Sequence, residues 1–319
     1  MTIAITGGAG FVGSNLVHAL NRRGVTDILV VDDLSHPDKA ANLSGAQFED
    51  AVDKGRFRSL LRAGGGTAAA FEAVLHQGAC TRVDEPDEAY VMDNNTAYSE
   101  ELLEFCIATS TPLVYASSAA VYGRSAATEE RRENERPLNA YARSKLGFDR
   151  YVRRRSRAAS SQVVGLRYFN VYGRREAHKG DMASMVTQLD RQLASGGPAV
   201  LYGPSHGCAA GEHRRDFVHI EDVVETILWF HEHPSISGIF NCGTGESRTF
   251  NALAKEVIAV RGGGTIEYRE MPPVFRRSYQ PSTTADLRRL RSAGFDRVFR
   301  PIEVGVPETL AAPAARTGG

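Results

Sequence analysis

Ile3-Ala-Ile-Thr-Gly-Gly-Ala-Gly-Phe-Val-Gly13 begins as a short apolar run and breaks at Gly7, Gly10 and Gly13. It passes straight into Val12, Leu16, Val17 and Leu20, which recur at helical spacing. Strand, glycine turn and amphipathic helix in that order make the opening of a βαβ unit that binds a dinucleotide. In such a unit Gly7 permits the tight turn, Gly10 lets the backbone approach a pyrophosphate, and Gly13 lets helix and strand pack closely. The helix N-terminus then offers free N–H groups and the positive end of its dipole to phosphates.

Outward from this turn, the segment 27–33 contains Ile-Leu-Val-Val, a continuous apolar run of the kind a buried parallel strand shows. Asp32 closes it 19 residues after Gly13, the place of the carboxylate that bonds the adenosine ribose hydroxyls. Alone, Asp32 argues for NAD, because a carboxylate repels a 2′-phosphate. Lys39 and Lys54 follow within reach and either neutralise such a phosphate or simply face water; spacing does not decide. Further strands are expected at Ala73–His76, 112–116 and 162–169, with a helix through Leu102, Leu103, Phe105 and Cys106. Strands alternating with helices predict an α/β fold, a doubly wound parallel sheet with helices on both faces.

At 319 residues the chain is long enough for two domains, and 42% hydrophobic content allows a sizeable core. Lys and Arg total 38, as do Asp and Glu, so nothing global points to nucleic acid or an anionic membrane. No apolar run reaches a membrane span, and the N-terminus lacks the pattern of a signal peptide. Cys80, Cys106, Cys208 and Cys242 lack Cys-x-x-Cys spacing and read as free thiols of a reducing cytoplasm. The run Arg153-Arg-Arg-Ser-Arg157 reads as a solvated helix face. A Gly/Ala-rich surface loop is expected over 63–70 and a frayed tail over 311–319. Residues 1–170, with about 214–241, form the expected dinucleotide domain; 171–213 and 242–319 form a smaller α/β domain over the sheet's carboxyl edge.

Tyr141-Ala-Arg-Ser-Lys145 sets a tyrosine and a lysine at i and i+4, on one helix face. A lysine ammonium and a positively charged nicotinamide both favour tyrosinate, so the Tyr141 pKa is expected to fall toward working pH. Val114-Tyr-Ala-Ser-Ser-Ala-Ala-Val-Tyr-Gly123 ends a strand in hydroxyls, and Ser118 can donate to the oxygen of a reacting alcohol or ketone. His206, Cys208 and His213 lack a fourth ligand at recognisable spacing and read as a surface loop. Cys80 reads as a packed small residue, and Ile227 to Phe230 as helix core.

Together these features resemble the extended short-chain dehydrogenase/reductases, the nucleotide-sugar epimerase and dehydratase group, over about residues 1–310. More closely, several blocks resemble the ADP-L-glycero-D-manno-heptose 6-epimerase family. They are Gly7-Gly-Ala-Gly-Phe-Val-Gly-Ser-Asn15, Thr26-Asp-Ile-Leu-Val-Val-Asp32, His76-Gln-Gly-Ala-Cys80, Met92-Asp-Asn-Asn95 and Arg167-Tyr-Phe-Asn-Val-Tyr-Gly173. Arg175-Glu-Ala-His-Lys-Gly180, Arg215-Asp-Phe-Val218, Asn241-Cys-Gly-Thr-Gly245 and Tyr279-Gln280 complete the set. The resemblance implies a cytoplasmic homo-oligomer that holds NADP rather than NAD and makes the heptose precursor of lipopolysaccharide from an ADP-heptose. It implies Ser118, Tyr141 and Lys145 as the catalytic set and Lys179 as a second acid/base group. Gly7, Gly10, Phe11, Val12, Gly13, Asp32, Asp33, Lys39, Lys54, Gln77, Gly78, Ala79, Cys80, Thr81 and Asn94 would line the cofactor, beside Tyr141 and Lys145. Asn170, Asp181, Gln188, Tyr202, Ser205, Arg215 and Tyr279 would meet the substrate, beside Ser118 and Lys179. The chain departs from the family at Asp181, at Gln188, at Pro204 and in the loop 207–212, all on the substrate side.

The chemistry accounts for the parts. The stereocentre is a secondary alcohol carbon not adjacent to a carbonyl, so its hydrogen is not acidic. Inversion therefore goes through transient oxidation to a ketone and reduction from the opposite face, which resets the cofactor. Two faces make two acid/base groups useful. An Asp181 carboxylate near Lys179 would favour the ammonium form. The competing reading, a 4-epimerase, dehydratase or ketoreductase of the same superfamily, is weakened for dehydratases by Ser117-Ser-Ala-Ala120 where those carry Thr-Asp-Glu. A non-catalytic NADP-binding protein would be expected to lose the tyrosine or lysine.

Overall fold

The computed structural model describes residues 1–35, 37–62, 71–82, 85–276 and 279–311. The expected loop over 63–70 and the tail beyond 311 lie outside them. Seven strands form one parallel sheet: β1 (Ile3–Thr6), β2 (Ile28–Val31), β3 (Asp50–Val52), β4 (Ala73–His76), β5 (Leu113–Ser118), β6 (Val163–Tyr168) and β7 (Gly238–Cys242). Their order is β7-β6-β5-β4-β1-β2-β3. The chain works outward from β1 in one direction, then returns to β4 on its other side, so the crevice at the carboxyl ends of β1 and β4 is the switch point where such sheets bind ligands.

Alternation along the strands feeds two cores. Ile3, Ile5, Val114, Val164 and Leu166 pack on one face against α1 (Phe11–Arg22) and against Ile220–Glu232. Ala4, Leu113, Tyr115 and Val163 pack on the other with Phe57, with Leu102 and Leu103 of Tyr98–Thr109, and with Phe148 and Val152. The last two belong to the helix Ala140–Arg155, called α2 below. Trp229 and Phe230 are buried in the first core. A third core gathers Val186, Leu189, Leu201, Phe217, Leu253, Val257 and Val306 from the later elements.

Two sheet strands were not anticipated. β3 is a three-residue edge strand, and Asp50 and Ala51 leave it little apolar signal. β7 follows a long excursion through the third core and pairs in register with β6. The arginine run is not simply solvated. Arg153 reaches the buried Glu135 at 2.6 Å, Arg154 lies over the Tyr151 ring and Arg155 pairs with Glu104.

The glycine turn is tighter than its pattern alone requires. Gly7 has φ +67°, and a Cβ there would stand 2.6 Å from the Gly78 backbone. A Cβ on Gly13 would stand 2.1 Å from the Gly7 carbonyl oxygen. Gly13→Ala is therefore expected to lower stability by about 2 kcal/mol or more, an overpacking cost against backbone that cannot yield. Gly24→Ala, with φ +80° and nothing within 4 Å of the new methyl, is expected to lose about 1 kcal/mol. Denaturant midpoints of the two variants check the difference; equal losses would refute it.

Candidate active site

β1 ends at Thr6, and the turn after it is fastened at Ala9, with the 77–81 loop tied to the end of the strand. The Ala9 N–H donates to Asp32 Oδ2 at 2.9 Å, the Ala9 carbonyl accepts from Asn42 Nδ2 at 2.9 Å, and Gly78 N–H donates to Thr6 Oγ1 at 3.3 Å. Gly10 is the residue before α1, and no side chain caps that helix, so its first N–H groups stay open toward the turn. Phe11 and Val12 form its first turn. The buried Gln77 Nε2 lacks a hydrogen-bond partner, although its Oε1 accepts from the Tyr168 hydroxyl at 2.7 Å. Open amides, a cradle that side-chain carbons would fill and an orphaned amide fit a dinucleotide pyrophosphate.

At the end of β2, Asp32 pairs with Lys39 and accepts from the Asp33 N–H at 2.8 Å. The hydroxyl and amide of Ser35 hold Asp33 below the usual carboxylate range, with Lys39 and Lys54 adding to the effect. Lys54 itself donates to Asn94 Oδ1 at 2.6 Å. Residues Asp32, Asp33, Lys39, Lys54 and Asn94 thus gather on one side of the turn.

Asn94 lies in a π-helical turn, Met92–Ala97, which feeds Tyr98–Thr109. Such turns insert a residue and re-aim side chains, often at functional sites. Here the turn brings in Asn95, which the sequence reading missed as a functional residue. Its Oδ1 accepts from Cys80 N–H at 2.8 Å, and its Nδ2 donates to the Cys80 carbonyl at 2.9 Å and to Ser144 Oγ at 3.0 Å. One side chain therefore ties the loop of Gln77, Gly78, Ala79, Cys80 and Thr81 to α2.

Tyr141 and Lys145 occupy one face of α2, beside the end of β5. Ser118, buried at that strand end, stands beside the Tyr141 phenol and favours loss of its proton, and its Oγ accepts from Ala120 N–H at 3.1 Å. Lys145 Nζ donates to the Ala116 carbonyl at 2.9 Å. Burial brings Lys145 down to about 8, against the opposing charge of Asp149. Against the expected fall, burial pushes the Tyr141 phenol above its ordinary value and outweighs the lowering by Ser118.

Lys179 sits in the short turn Ala177–Met182. Its Nζ lies 5.0 Å from the centre of the Phe11 ring, at the start of α1, and 3.5 Å from Glu176 Oε2. Glu176, not Asp181, is the carboxylate paired with Lys179; Asp181 is exposed. Glu176 is itself buried and accepts from Ser184 N–H at 2.7 Å and Thr187 Oγ1 at 2.6 Å. The turn is bolted to the dinucleotide side by Asn42–His178 at 3.0 Å and by Arg175 donating to Asn15 Oδ1 at 2.9 Å. Gln188 Nε2 closes it from behind through the carbonyls of Asp181 and Ala183, at 3.0 and 2.8 Å.

The remaining expected residues form a second group. A cavity of about 550 Å³ is lined by Arg124, His206, Arg276, Tyr279 and Pro281. Arg215 is buried, its guanidinium 4.8 Å from the Tyr279 ring centre and 5.6 Å from that of Phe250. Burial lowers its pKa; among the described residues it makes no ion pair. The Tyr202 ring packs edge-on to Tyr279 at 6.2 Å, and Ser205 Oγ bonds His213 Nε2 at 2.8 Å. His206 and His213 both pack on Tyr279 and spend ring nitrogens on Ser205 and the Arg276 carbonyl. Among the described residues no cluster of three or more His, Cys, Asp or Glu could hold a metal. Asn170 lies exposed on the strand Asn170–Tyr172, outside this cavity's lining. A larger hollow of about 700 Å³ beside Thr26, Asp27 and Phe48 opens at the other end of the sheet and contains none of the expected residues.

Residues 3–243 match the NAD dependent epimerase/dehydratase family. The chain belongs to that family. This epimerase/dehydratase family member is 52% identical over 312 residues to the ADP-L-glycero-D-manno-heptose-6-epimerase of Alkalilimnicola ehrlichii, covering 98% of this chain and 97% of that protein. Its fold matches the crystal structure of the Helicobacter pylori ADP-L-glycero-D-manno-heptose-6-epimerase with TM-score 0.83 and 30% identity, over 97% and 95% of the two chains. A Thermus thermophilus UDP-glucose 4-epimerase in complex with NAD matches with TM-score 0.79 and 28% identity, over 97% of each chain. No helix among the described residues is long and apolar enough to cross a membrane.

Asn95→Ala removes three hydrogen bonds from the 77–81 loop and α2 at once. In a Cys208→Ser background, the partly exposed Cys80 thiol is expected to be alkylated about tenfold faster or more, since each lost bond is worth about 1 kcal/mol. Peptide mass spectrometry over time reads this; an unchanged Cys80 rate would mean that Asn95 does not hold the loop.

Proposed function

We propose that this chain interconverts ADP-D-glycero-D-manno-heptose and ADP-L-glycero-D-manno-heptose by transient oxidation at carbon 6, using tightly bound NADP. One observation carries the reading beyond the family: two acid/base groups stand at the carboxyl edge of the sheet on different elements, Tyr141 at the end of β5 and Lys179 at the start of α1. Tyr141 comes from α2, with Ser118 on its phenol, and Lys179 comes from the turn beyond β6, over Phe11. The ADP-heptose assignment is supported by the near full-length likeness to the Alkalilimnicola enzyme.

Gly7, Gly10, Phe11, Val12 and Gly13, with the 77–81 loop, would hold the coenzyme, which would supply a reversible hydride acceptor. The protein supplies everything else. Ser118 donates to the reacting oxygen and holds it against Tyr141. Tyr141 takes the hydroxyl proton as the carbonyl forms, with the Lys145 charge favouring the phenolate. Lys179 handles the proton for the opposite face, with Glu176 keeping the ammonium in place. Arg215, held between two rings, meets the diphosphate as a preformed cation, for which a planar guanidinium is well suited. Asn170, Tyr202, Ser205 and Tyr279 complete the substrate's surroundings, and Asp181 and Gln188 shape the Lys179 turn. Lys39 and Lys54 offer two charges to a 2′-phosphate beside Asp32. The protein works as a cytoplasmic homo-oligomer in the synthesis of lipopolysaccharide heptose.

Purified protein, denatured and chromatographed, is expected to release NADP or its reduced form. Lys39→Ala and Lys54→Ala are each expected to weaken NADP about tenfold while leaving NAD affinity near parental, the scale of one charge-assisted contact. Release of NAD alone, with no preference for the phosphate in direct binding, would defeat the NADP assignment.

Incubation with ADP-heptose and no added coenzyme, followed by NMR at carbon 6, tests the reaction itself. Tyr141→Phe is expected to slow epimerisation by ~10²-fold or more with coenzyme still bound. Lys179→Met is expected to block interconversion. A Lys179→Met variant that turns over at the parental rate would leave Tyr141 or a water serving both faces.

A further inference from the structure

We infer that Asp149 is a positioning residue for the reaction: one helical turn beyond Lys145, it holds that side chain charged and directed at the end of β5. The inference rests on the reading of Lys145 as the cation beside Tyr141.

Tyr141, Lys145 and Asp149 follow one another at i+4 intervals and share one face of α2. Asp149 is wholly buried. Its Oδ1 accepts from the Tyr115 hydroxyl at 3.0 Å, and its Oδ2 accepts from Arg167 Nε at 2.9 Å and from a second Arg167 nitrogen at 2.8 Å. Tyr115 is the neighbour of Ala116, whose carbonyl takes the Lys145 hydrogen bond. Lys145, Ala116, Tyr115 and Asp149 therefore close a ring between helix and strand. The ring needs space on β6: a Cβ on Gly165 would stand 2.4 Å from the Tyr115 hydroxyl oxygen. A carboxylate moved so far from water is costly, and a buried ion pair is replaceable by packed apolar groups without loss of stability. Stability alone does not account for placing one here.

The groups facing Lys145 leave the task to Asp149. Tyr141 lies on the same helix. His76, from β4, is driven down to about 3 by burial and by the Lys145 charge, and so is neutral. Tyr115, from β5, is held well above its ordinary value and keeps its proton. Arg167, from β6, is answered by Asp149 and Glu135, and Glu135 is shared with Arg153. Asp149 is the carboxylate whose charge opposes the effect of burial on Lys145. Removing that charge makes the ammonium easier to deprotonate.

The pH profile of kcat/KM in the holoenzyme tests this. Loss of the Lys145 proton sets a limb on the high-pH side. Asp149→Asn is expected to move that limb to lower pH by about one unit, the scale of one nearby opposite charge. Asp149→Glu, which keeps the carboxylate, is expected to return the limb to its parental place even if the rate falls. An Asp149→Asn limb at the parental pH overturns the inference, whatever the loss of rate. If that variant does not fold, Asp149→Asn/Arg167→Lys, which keeps a cation for Glu135, is compared with Arg167→Lys alone; its limb is expected at lower pH, and coincident limbs overturn the inference. Lys145→Met separates the two readings. At parental turnover the role given to Lys145 fails. If Lys145→Met is inactive while the Asp149→Asn limb is unmoved, only the present inference fails.

Discussion

Everything at the site depends on how closely the Gly7 carbonyl approaches α1. With the Gly13 Cα against that oxygen, the helix begins directly beneath the ends of β1 and β4. Its open N–H groups then fall at the crevice where the sheet reverses. Asp32 and Asn42 fix the rest of the turn by hydrogen bonds to its Ala9 backbone, and Thr6 ties the end of β1 to Gly78. These residues come from β1 itself, the end of β2 and the short segment after it. The turn is thus a junction as well as a cradle, and movement in any of those elements reaches the open amides of α1.

The same junction carries the Lys179 turn. Asn42 bonds the turn's His178 with the side-chain nitrogen that also reaches the Ala9 carbonyl. Asn15, inside α1, donates to the Arg174 carbonyl and accepts from Arg175. Arg175 holds a left-handed backbone at φ +70°, uncommon for a residue with a side chain and maintained here by its surroundings. The short helix Pro37–Ala41 that bears Lys39 packs on the turn that bears Lys179. Lys39 and Lys179 are therefore carried by parts of one packed unit.

Much of this was readable in the sequence because the informative patterns are local. The run before Gly7 and the helical spacing after it are set by near neighbours, and the Tyr141–Lys145 pair needs only one helical turn. What was not legible depends on partners far along the chain. Asp149 and Arg167 are 18 residues apart and meet across a helix–strand interface, so neither carries a mark of the other. Asn95 was visible in a quoted block, but its hold on Cys80 and Ser144 follows from a π turn that no periodicity announces. Glu176 lies three residues before Lys179 and a fold in the turn brings them together, while Asp181, only two residues away, faces water. Tyr141 failed differently: a charge argument gave the sign that a neighbouring cation would impose, but burial is the larger effect.

A neutral chain that handles an anionic nucleotide must keep some cations from being answered by its own acids. Arg215 and Asp216 illustrate how adjacent opposite charges are kept apart. Asp216 accepts from the N–H groups of Thr244, Gly245 and Ala285, at 2.7, 2.9 and 3.0 Å, and is used up inside the fold. Along a strand, successive side chains point to opposite faces, so Arg215 turns the other way, to the rings of Tyr279 and Phe250. The rings attract the guanidinium without neutralising it. Its desolvation is borne in the folding of the free protein rather than at the moment of binding, which is the sense in which the site is preorganised. Lys145 follows the opposite rule. Buried as it is, it has the charge of Asp149 one helical turn away, a carboxylate it shares with Arg167.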